Sequence, residues 1–376
     1  MSRHLHIVCL DVPWPADYGG AIDMMNRIRM FHQQGVQIHL HYFSYNDRGT
    51  PNELNQFCQT IRVYPREKIS KGFSLRLPFI VSSRMNGELI KNLEKDNHPI
   101  LLEGIHCTGI LQKLDYRRRK VVVRMHNEES SYYRELARAE SNLIKKLYFL
   151  NEAQLIRKYS RHLPKDCIYA CVSENDIRVF REEYHLPQAK YLSTFPSWQK
   201  VSSPEGQGSL CLYHGNLSVP ENEKAALWLL RTVFTKVRYP FVIAGKKPSA
   251  QIRQAASLCQ HTCLVADPSE SEMNDLVRKA HIHVLPCFNK KITGIRLKLL
   301  HAMFEGRHCV VNEPMVSGTG LDAACHISNS SAGFAAIIAQ LYHQPFTTEE
   351  IRLREELLGS TYDNSTNTRR LTQWLW

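Results

Sequence analysis

No uncharged apolar run of about eighteen residues occurs in this 376-residue chain, so no membrane span is expected. A short apolar stretch at residues 7–10 is cut by Asp11 and two prolines, too brief and interrupted for a signal peptide. Cys-x-x-Cys is missing as well. The eleven cysteines are scattered, and the nearest pairs, Cys167/Cys171 and Cys259/Cys263, do not have zinc-ribbon spacing. Reduced, mostly buried thiols of a cytoplasmic protein are therefore expected, with no metal site. Internal repeats and low-complexity tracts are absent, and nothing resembles a helix-turn-helix, an RNA-recognition motif or a zinc finger, so no nucleic-acid partner is expected.

Acidic residues are also in deficit. Thirty-six Asp and Glu stand against 48 Lys and Arg, a net charge of +12, with most of the excess in the first half. A basic surface attracts nucleic acid, anionic lipid headgroups or phosphorylated small molecules, or it simply keeps a protein soluble; composition leaves these open.

What is present is an alternation of strand-like and helix-like segments. Residues 4–10 read as a strand, 13–20 as a Pro/Gly turn, and 21–34 as a helix with Met24, Ile28 and Phe31 three or four apart. Gly35 stops that helix, and strands are predicted at 36–43, 61–64, 100–102, 121–124 and 168–172. After a polar Ser/Pro/Gly stretch the cycle restarts, with strands at 210–213, 241–244, 263–266, 281–286 and 309–312 and helices at 223–233, 273–280 and 295–304. This predicts an α/β protein whose parallel sheets are covered on both faces. The restart predicts two domains, 1–196 and 197–360. Residues 361–376 finish with Trp374-Leu375-Trp376, an aromatic end that needs a place to bury itself.

Several strand ends carry candidate chemistry, and in open α/β sheets ligands gather there. A turn containing Thr293, Gly294 and Ile295 opens a helix whose backbone N–H groups and dipole favour an anion, and Arg296 and Lys298 add cations suited to phosphate oxygens. The plain alternative is a solvated basic helix start. Gly19-Gly20 follows the first strand, where glycine permits positive φ and close backbone approach. His126 closes the strand at 121–124, and Glu128 or Glu129 either meets an acceptor hydroxyl or caps the following helix. Glu103 and His106 sit at another strand end. In the second half Gly215-Asn216 and Gly245-Lys246 follow strands, with Lys246 expected to reach a diphosphate. The basic–apolar segment 66–84 reads either as a lip on anionic lipid or as a connection packed on the first sheet.

Taken together, the stretch Gly294-Ile295-Arg296-Leu297-Lys298, then Leu300-His301-Ala302-Met303, Gly306 and Val310-Val311, resembles the C-domain signature of the family 4 (group 1) retaining glycosyltransferases. Gly19-Gly20 and His126 are similar to that family's donor-side positions. The resemblance runs from the Gly-Gly turn to Leu321. It implies a GT-B fold, two Rossmann-like domains with parallel sheets facing across a cleft, and a C-terminal helix (361–376) returning to the first domain. It further implies a metal-independent, cofactor-free transferase that moves a sugar, with retention, from a UDP- or GDP-linked donor to a glycan or lipid-linked acceptor. The expected location is the cytoplasm, peripheral on the inner face of the membrane if segment 66–84 is a lipid-facing lip. By the resemblance His126, Arg296 and Lys298 are catalytic. Gly19, Gly20, Gly215, Asn216, Lys246, Thr293, Gly294, Ile295 and His301 bind the donor, and Glu103, His106 and Glu128 the acceptor.

One departure stands out. The family's two glutamates, seven residues apart, are replaced by Thr293 and His301, which can hydrogen-bond a hydroxyl but supply no carboxylate. A catalytically degenerate nucleotide-binding protein and a nucleotide-sugar epimerase are the alternatives.

Overall fold

Residues 2–44, 51–68, 72, 74, 76–288 and 296–376 are described by the computed structural model. The chain divides into two units, Met1–Ser197 with Tyr362–Trp376, and Trp198–Ile292 with Arg296–Thr361.

The first unit is built on seven parallel strands: β1 (His4–Cys9), β2 (Gln37–Ser44), β3 (Thr60–Pro65), β4 (Ile100–Glu103), β5 (Val121–Met125), β6 (Ile168–Cys171) and β7 (Ala189–Tyr191). Their order is β3-β2-β1-β4-β5-β6-β7, so the sheet reverses direction of growth between β1 and β4. Alternating side chains feed two cores. Leu5, Ile7 and Cys9 of β1 join Leu101 and Val122 on one face, while Val8 joins Leu102 and Val123 on the other. Helices α1 (Gly19–Gln33), α2 (Gly87–Leu93), α3 (Glu129–Ala139), α4 (Leu143–Ser160) and α5 (Glu174–Glu182) belong to this unit. Gly35, at φ +75, ends α1 where only glycine is unstrained.

The second unit repeats the plan with β8 (Leu210–His214), β9 (Phe241–Gly245), β10 (Thr262–Ala266), β11 (Ala280–Leu285), β12 (His308–Val311) and β13 (His326–Ile327), in the order β10-β9-β8-β11-β12-β13. Its helices are α6 (Pro220–Trp228), α7 (Ala250–Ser257), α8 (Glu270–Lys279), α9 (Leu297–Glu305), α10 (Ser331–Leu341) and α11 (Thr348–Thr361). Sequence periodicity misses β7 and β13, which are three and two residues long, too short to show a period. It also reads 223–233 as one regular helix, whereas Leu229–Val233 is a π-turn that continues α6.

The last helix, α12 (Asn364–Leu375), lies in the first unit, where Leu371 and Leu375 enter the core beside Phe31 and Phe195. Asn364 donates to the Pro196 carbonyl (3.0 Å) and Asn367 to Ser193 Oγ (2.8 Å). The terminal tryptophans are not the buried anchors the sequence suggests. Residues four apart share the inward face, so Trp374 is only partly buried and Trp376 is 40% exposed.

Segment 66–84 is resolved in favour of the packed connection for its described residues. Phe79, Ile80 and Val81 are buried, and the Arg84 guanidinium donates to the carbonyls of Leu10 and Ile80, both at 2.8 Å.

Candidate active site

In the second unit the switch between β8 and β11 brings the strand ends that carry most of the sequence candidates. β8 ends in Tyr213-His214, and the chain turns at Gly215, φ +155. A Cβ on Gly245, at the end of β9, would lie 1.8 Å from the Gly215 carbonyl oxygen, so these two turns touch only because that position is glycine. Leu217 N donates to the Lys246 carbonyl at 2.9 Å, stitching the turns together. Asn216 is exposed, with Oδ1 accepting from Ser218 N at 3.1 Å; Lys246 is exposed beside it in the next loop.

Lys298, in the first turn of α9, reaches this place. Its Nζ would lie 3.4 Å from a Cβ on Gly215, bonds Asn222 Oδ1, approaches Tyr213 OH at 3.3 Å and sits 5.0 Å from the Tyr213 ring centre. Burial pushes the ammonium down to about 8, with Arg296 adding like-charge repulsion and Glu221 opposing it. Arg296 is the N-cap residue of α9 and is half-buried. Its Nη1 donates to the carbonyls of Pro314 and, at 3.1 Å, Met315. Thr293, Gly294 and Ile295 lie outside the described residues.

His301, one turn further along α9, is buried at 7% exposure. Trp198 stacks on its ring (4.5 Å between centroids), and His214 meets it edge-on at 5.5 Å. Its Nε2 lies 3.2 Å from Glu305 Oε2, and this bond, chiefly, holds the Glu305 carboxyl below its ordinary range. From the sequence Glu305 has no assigned role, although its spacing of four from His301 is the signal for a pair on one helix face. Arg354 of α11 was missed as well. Fully buried, it donates to the carbonyls of Gly306 (2.7 Å), Ala302 (3.3 Å) and Arg307, closing the C-terminal end of α9 with a cation.

In the first unit the corresponding strand ends hold a buried ion network. Arg27 of α1 donates to both oxygens of Glu103 (2.8 and 2.7 Å) and to Asp23 (2.8 Å). Arg124 of β5 donates to Asp23 at 3.1 Å and to the carbonyl of Ser193 at 2.9 Å. Asp23 also accepts from Phe195 N (2.7 Å) and Thr194 Oγ1 (3.1 Å). Burial alone would raise the Asp23 carboxyl, but Arg124 and Arg27 outweigh it and hold it far below the usual range; Glu103 is lowered in the same way, chiefly by Arg27.

His126 closes this network. Its Nε2 lies 3.0 Å from Glu103 Oε2 and its Nδ1 3.6 Å from Asp23 Oδ2, so both ring nitrogens face buried carboxylates. Asp23, Glu103 and His126 have the spacing of a metal trio, but Arg27 and Arg124 already occupy the carboxylates.

Three expectations change here. Glu103 is fully buried with both oxygens bonded, so it orients Arg27 and His126 instead of meeting an acceptor. Glu128 takes the second of its two readings: its carboxylate accepts from Ser130 N (3.1 Å) and Ser131 N (2.7 Å) as the N-cap of α3, and from Tyr184 OH. Gly19 and Gly20 form the first turn of α1 and have no positive φ; the value of Gly20 is space, since a Cβ there would come 3.0 Å from the Tyr18 ring. His106 is half-buried two residues after Gly104, whose φ is +84. Glu129, beside the Glu128 cap, is pushed up to about 7 by burial and by the like charges of Glu128 and Asp176, against a hydrogen bond from Asn127 at 3.2 Å.

Residues 208–344 match the family described as Glycosyl transferases group 1. A protein of Klebsiella pneumoniae described as an uncharacterized 44.6 kDa protein in the cps region is 26% identical over 336 residues, 84% of each chain. Among solved structures, the sucrose-phosphate synthase of Thermosynechococcus elongatus superposes with a TM-score of 0.71 at 13% identity, covering 99% of this chain and 98% of that one. TarM gives 0.70 at 9% identity over 100% and 99%, and Anabaena HepE, solved with UDP and glucose, gives 0.65 at 10% over 99% of both.

Proposed function

We propose that this chain, which has the GT-B fold and whose residues 208–344 match the family Glycosyl transferases group 1, transfers a sugar, with retention, from a UDP- or GDP-linked donor to a glycan or lipid-linked acceptor. The observation that carries this reading is Lys298 held against Gly215 at the switch point of the second sheet. A lysine and the start of α9 at the mouth of a glycine turn form a cradle for a diphosphate. As the bond from the anomeric carbon to the phosphate oxygen breaks, negative charge grows on that oxygen, and the ammonium stabilises it. The departing phosphate can take the acceptor's proton, so the reading asks for no carboxylate at His301. The relative from a cps region and the neighbour solved with UDP and glucose support a glycan-building role and a uridine nucleotide.

A second observation supports the lipid-linked acceptor. Leu143, Ile144, Leu147 and Leu150 are 74, 79, 67 and 40% exposed along one face of α4, with Lys145 and Lys146 among them, while Ala153 and Ile156 further on enter the core. No described helix is long and apolar enough to cross a membrane. Exposed leucines between lysines suit the interface of an anionic bilayer, where apolar side chains enter the acyl boundary and the ammonium groups meet phosphates.

The test is a panel of UDP- and GDP-sugars assayed for donor consumption and anomeric outcome, with the wild type and Lys298→Ala compared. The expected result is one donor turned over with its anomeric configuration kept, and turnover lost in the variant while the fold survives. Near wild-type transfer by Lys298→Ala would remove the phosphate assignment.

A further inference from the structure

Far from those strand ends, at the amino-terminal end of the first sheet, five histidines gather. The tripeptide His4-Leu5-His6 on β1 is repeated as His39-Leu40-His41 on β2. A strand's period of two puts both imidazoles of each pair on one face, and the parallel register sets His6 opposite His39. His98, just before β4, stacks on His4 with 4.6 Å between centroids and lies 5.9 Å from His39.

Two of the five are committed inward. His6 bonds Asp96 and His41, each at 3.0 Å, and His41 bonds Tyr64 OH at 3.0 Å. The other three, His4, His39 and His98, are half-buried and bring one ring nitrogen each within 4.8 Å of the others.

Their outer nitrogens are already oriented. His39 Nδ1 lies 3.0 Å from Thr60 Oγ1, and His4 Nε2 lies 3.2 Å from Ser2 Oγ. The inner nitrogens, His4 Nδ1 and His39 Nε2, face each other at 3.1 Å. Two imidazole ligands of a tetrahedral ion with metal–nitrogen bonds of about 2.0 Å stand about 3.3 Å apart, so this pair needs little adjustment.

We propose that His4, His39 and His98 form a site for one divalent transition-metal ion of the zinc class, completed by water. Imidazole donors select such ions over magnesium or calcium. Binding needs lone pairs on His4 Nδ1 and His39 Nε2. In the neutral pair one ring carries its proton on the inner nitrogen; as the ion takes that place the proton moves to the same ring's outer nitrogen, where the Ser2 or Thr60 hydroxyl accepts it, and none is released. Of the charged groups facing His39, Asp96 favours a cation and Arg62 opposes it. Such an ion would brace β1, β2 and the entry to β4 at the end of the sheet opposite Glu103, and it is structural, independent of the transfer chemistry.

The experiment titrates ZnCl2 into the untagged full-length chain by calorimetry, with the visible absorption of Co2+ as the geometric readout. The expected result is one ion per chain in a tetrahedral field and a rise in Tm. Affinity should fall about tenfold or more in each of His4→Ala, His39→Ala and His98→Ala, and stay unchanged in the surface control His162→Ala. Should a substitution impair folding, the milder His4→Gln and His98→Gln carry the comparison. No saturable uptake by the wild type, or uptake that survives all three alanine substitutions, overturns the proposal.

Discussion

The Nε and Nη2 atoms of Arg27 both meet the carboxylate of Glu103, at 2.9 and 2.7 Å, and neither side chain is accessible to solvent. A planar guanidinium matched to a carboxylate is the strong form of an ion pair. Here it is one half of a larger set, because Arg27 also holds Asp23 and Asp23 holds Arg124. Two buried cations face two buried anions beneath His126.

Removing one anion from that set leaves the charges unequal. Asp23→Asn should cost about 3–5 kcal/mol, the penalty for a buried charge without its partner. Urea unfolding of wild type and variant measures it, and a loss below about 1 kcal/mol would show that Glu103 alone can compensate both arginines.

The proposed role of Lys298 predicts a pH-dependent transfer. Burial pushes the folded ammonium down to about 8, below the ordinary lysine value near 10.4, so the cation is nearly complete at about pH 7, half present at about pH 8 and lost above it. The profile of kcat/KM should therefore fall above about pH 8. Lys298→Arg, permanently charged, should lose that limb even if its rate is lower. An unchanged limb in the arginine variant would assign the titration to another group.

Glu129 has the opposite stability sign to the usual carboxylate. Its folded value of about 7 lies above the unfolded value near 4.3, so the folded state holds the proton more tightly and stability declines as pH climbs between the two. Glu129→Gln removes that decline. Its Tm should exceed the wild type's by roughly 2–4 °C at pH 8 and match it at about pH 4 or below. Thermal unfolding at the two pH values decides the point.

The exposed face of α4 can be separated from the catalytic residues. With Leu143→Asp and Leu147→Asp combined, sedimentation with phosphatidylglycerol vesicles should fall at least about tenfold, since each large apolar side chain taken from water contributes about 1.5–3 kcal/mol. KM for a lipid-linked acceptor should rise while KM for the donor stays put. Equal vesicle binding by the variant would locate any membrane contact elsewhere.

Much of the fold was legible because long strands and amphipathic helices carry their period openly: β1, β2 and α1 were placed within two residues. The restart after residue 196 was visible for the same reason. Burial of charge was not legible. Asp23 and Arg27 sit on the core face of α1 among Met24, Ile28 and Phe31, and only their spacing of four hints at a pair. Nothing local distinguishes Arg354 from the other charged residues of α11; among its partners are carbonyls 47 to 52 positions earlier in the chain, at Ala302, Met303, Gly306 and Arg307, and the Cys309 thiol. Glu128 was readable as a cap or as a ligand, and only coordinates separate the two. The repeated His-Leu-His tripeptide lay in plain view, but its meaning depends on β1 and β2 being neighbours in register.

α9 is fastened at both ends, by Arg296 to the carbonyls at 314–315 and by Arg354 to those at 302–307. It cannot slide or tilt alone. Any displacement of Lys298 would therefore drag the 313–316 turn and α11 with it, so the lysine's position is set by the second unit as a whole and not by its own helix.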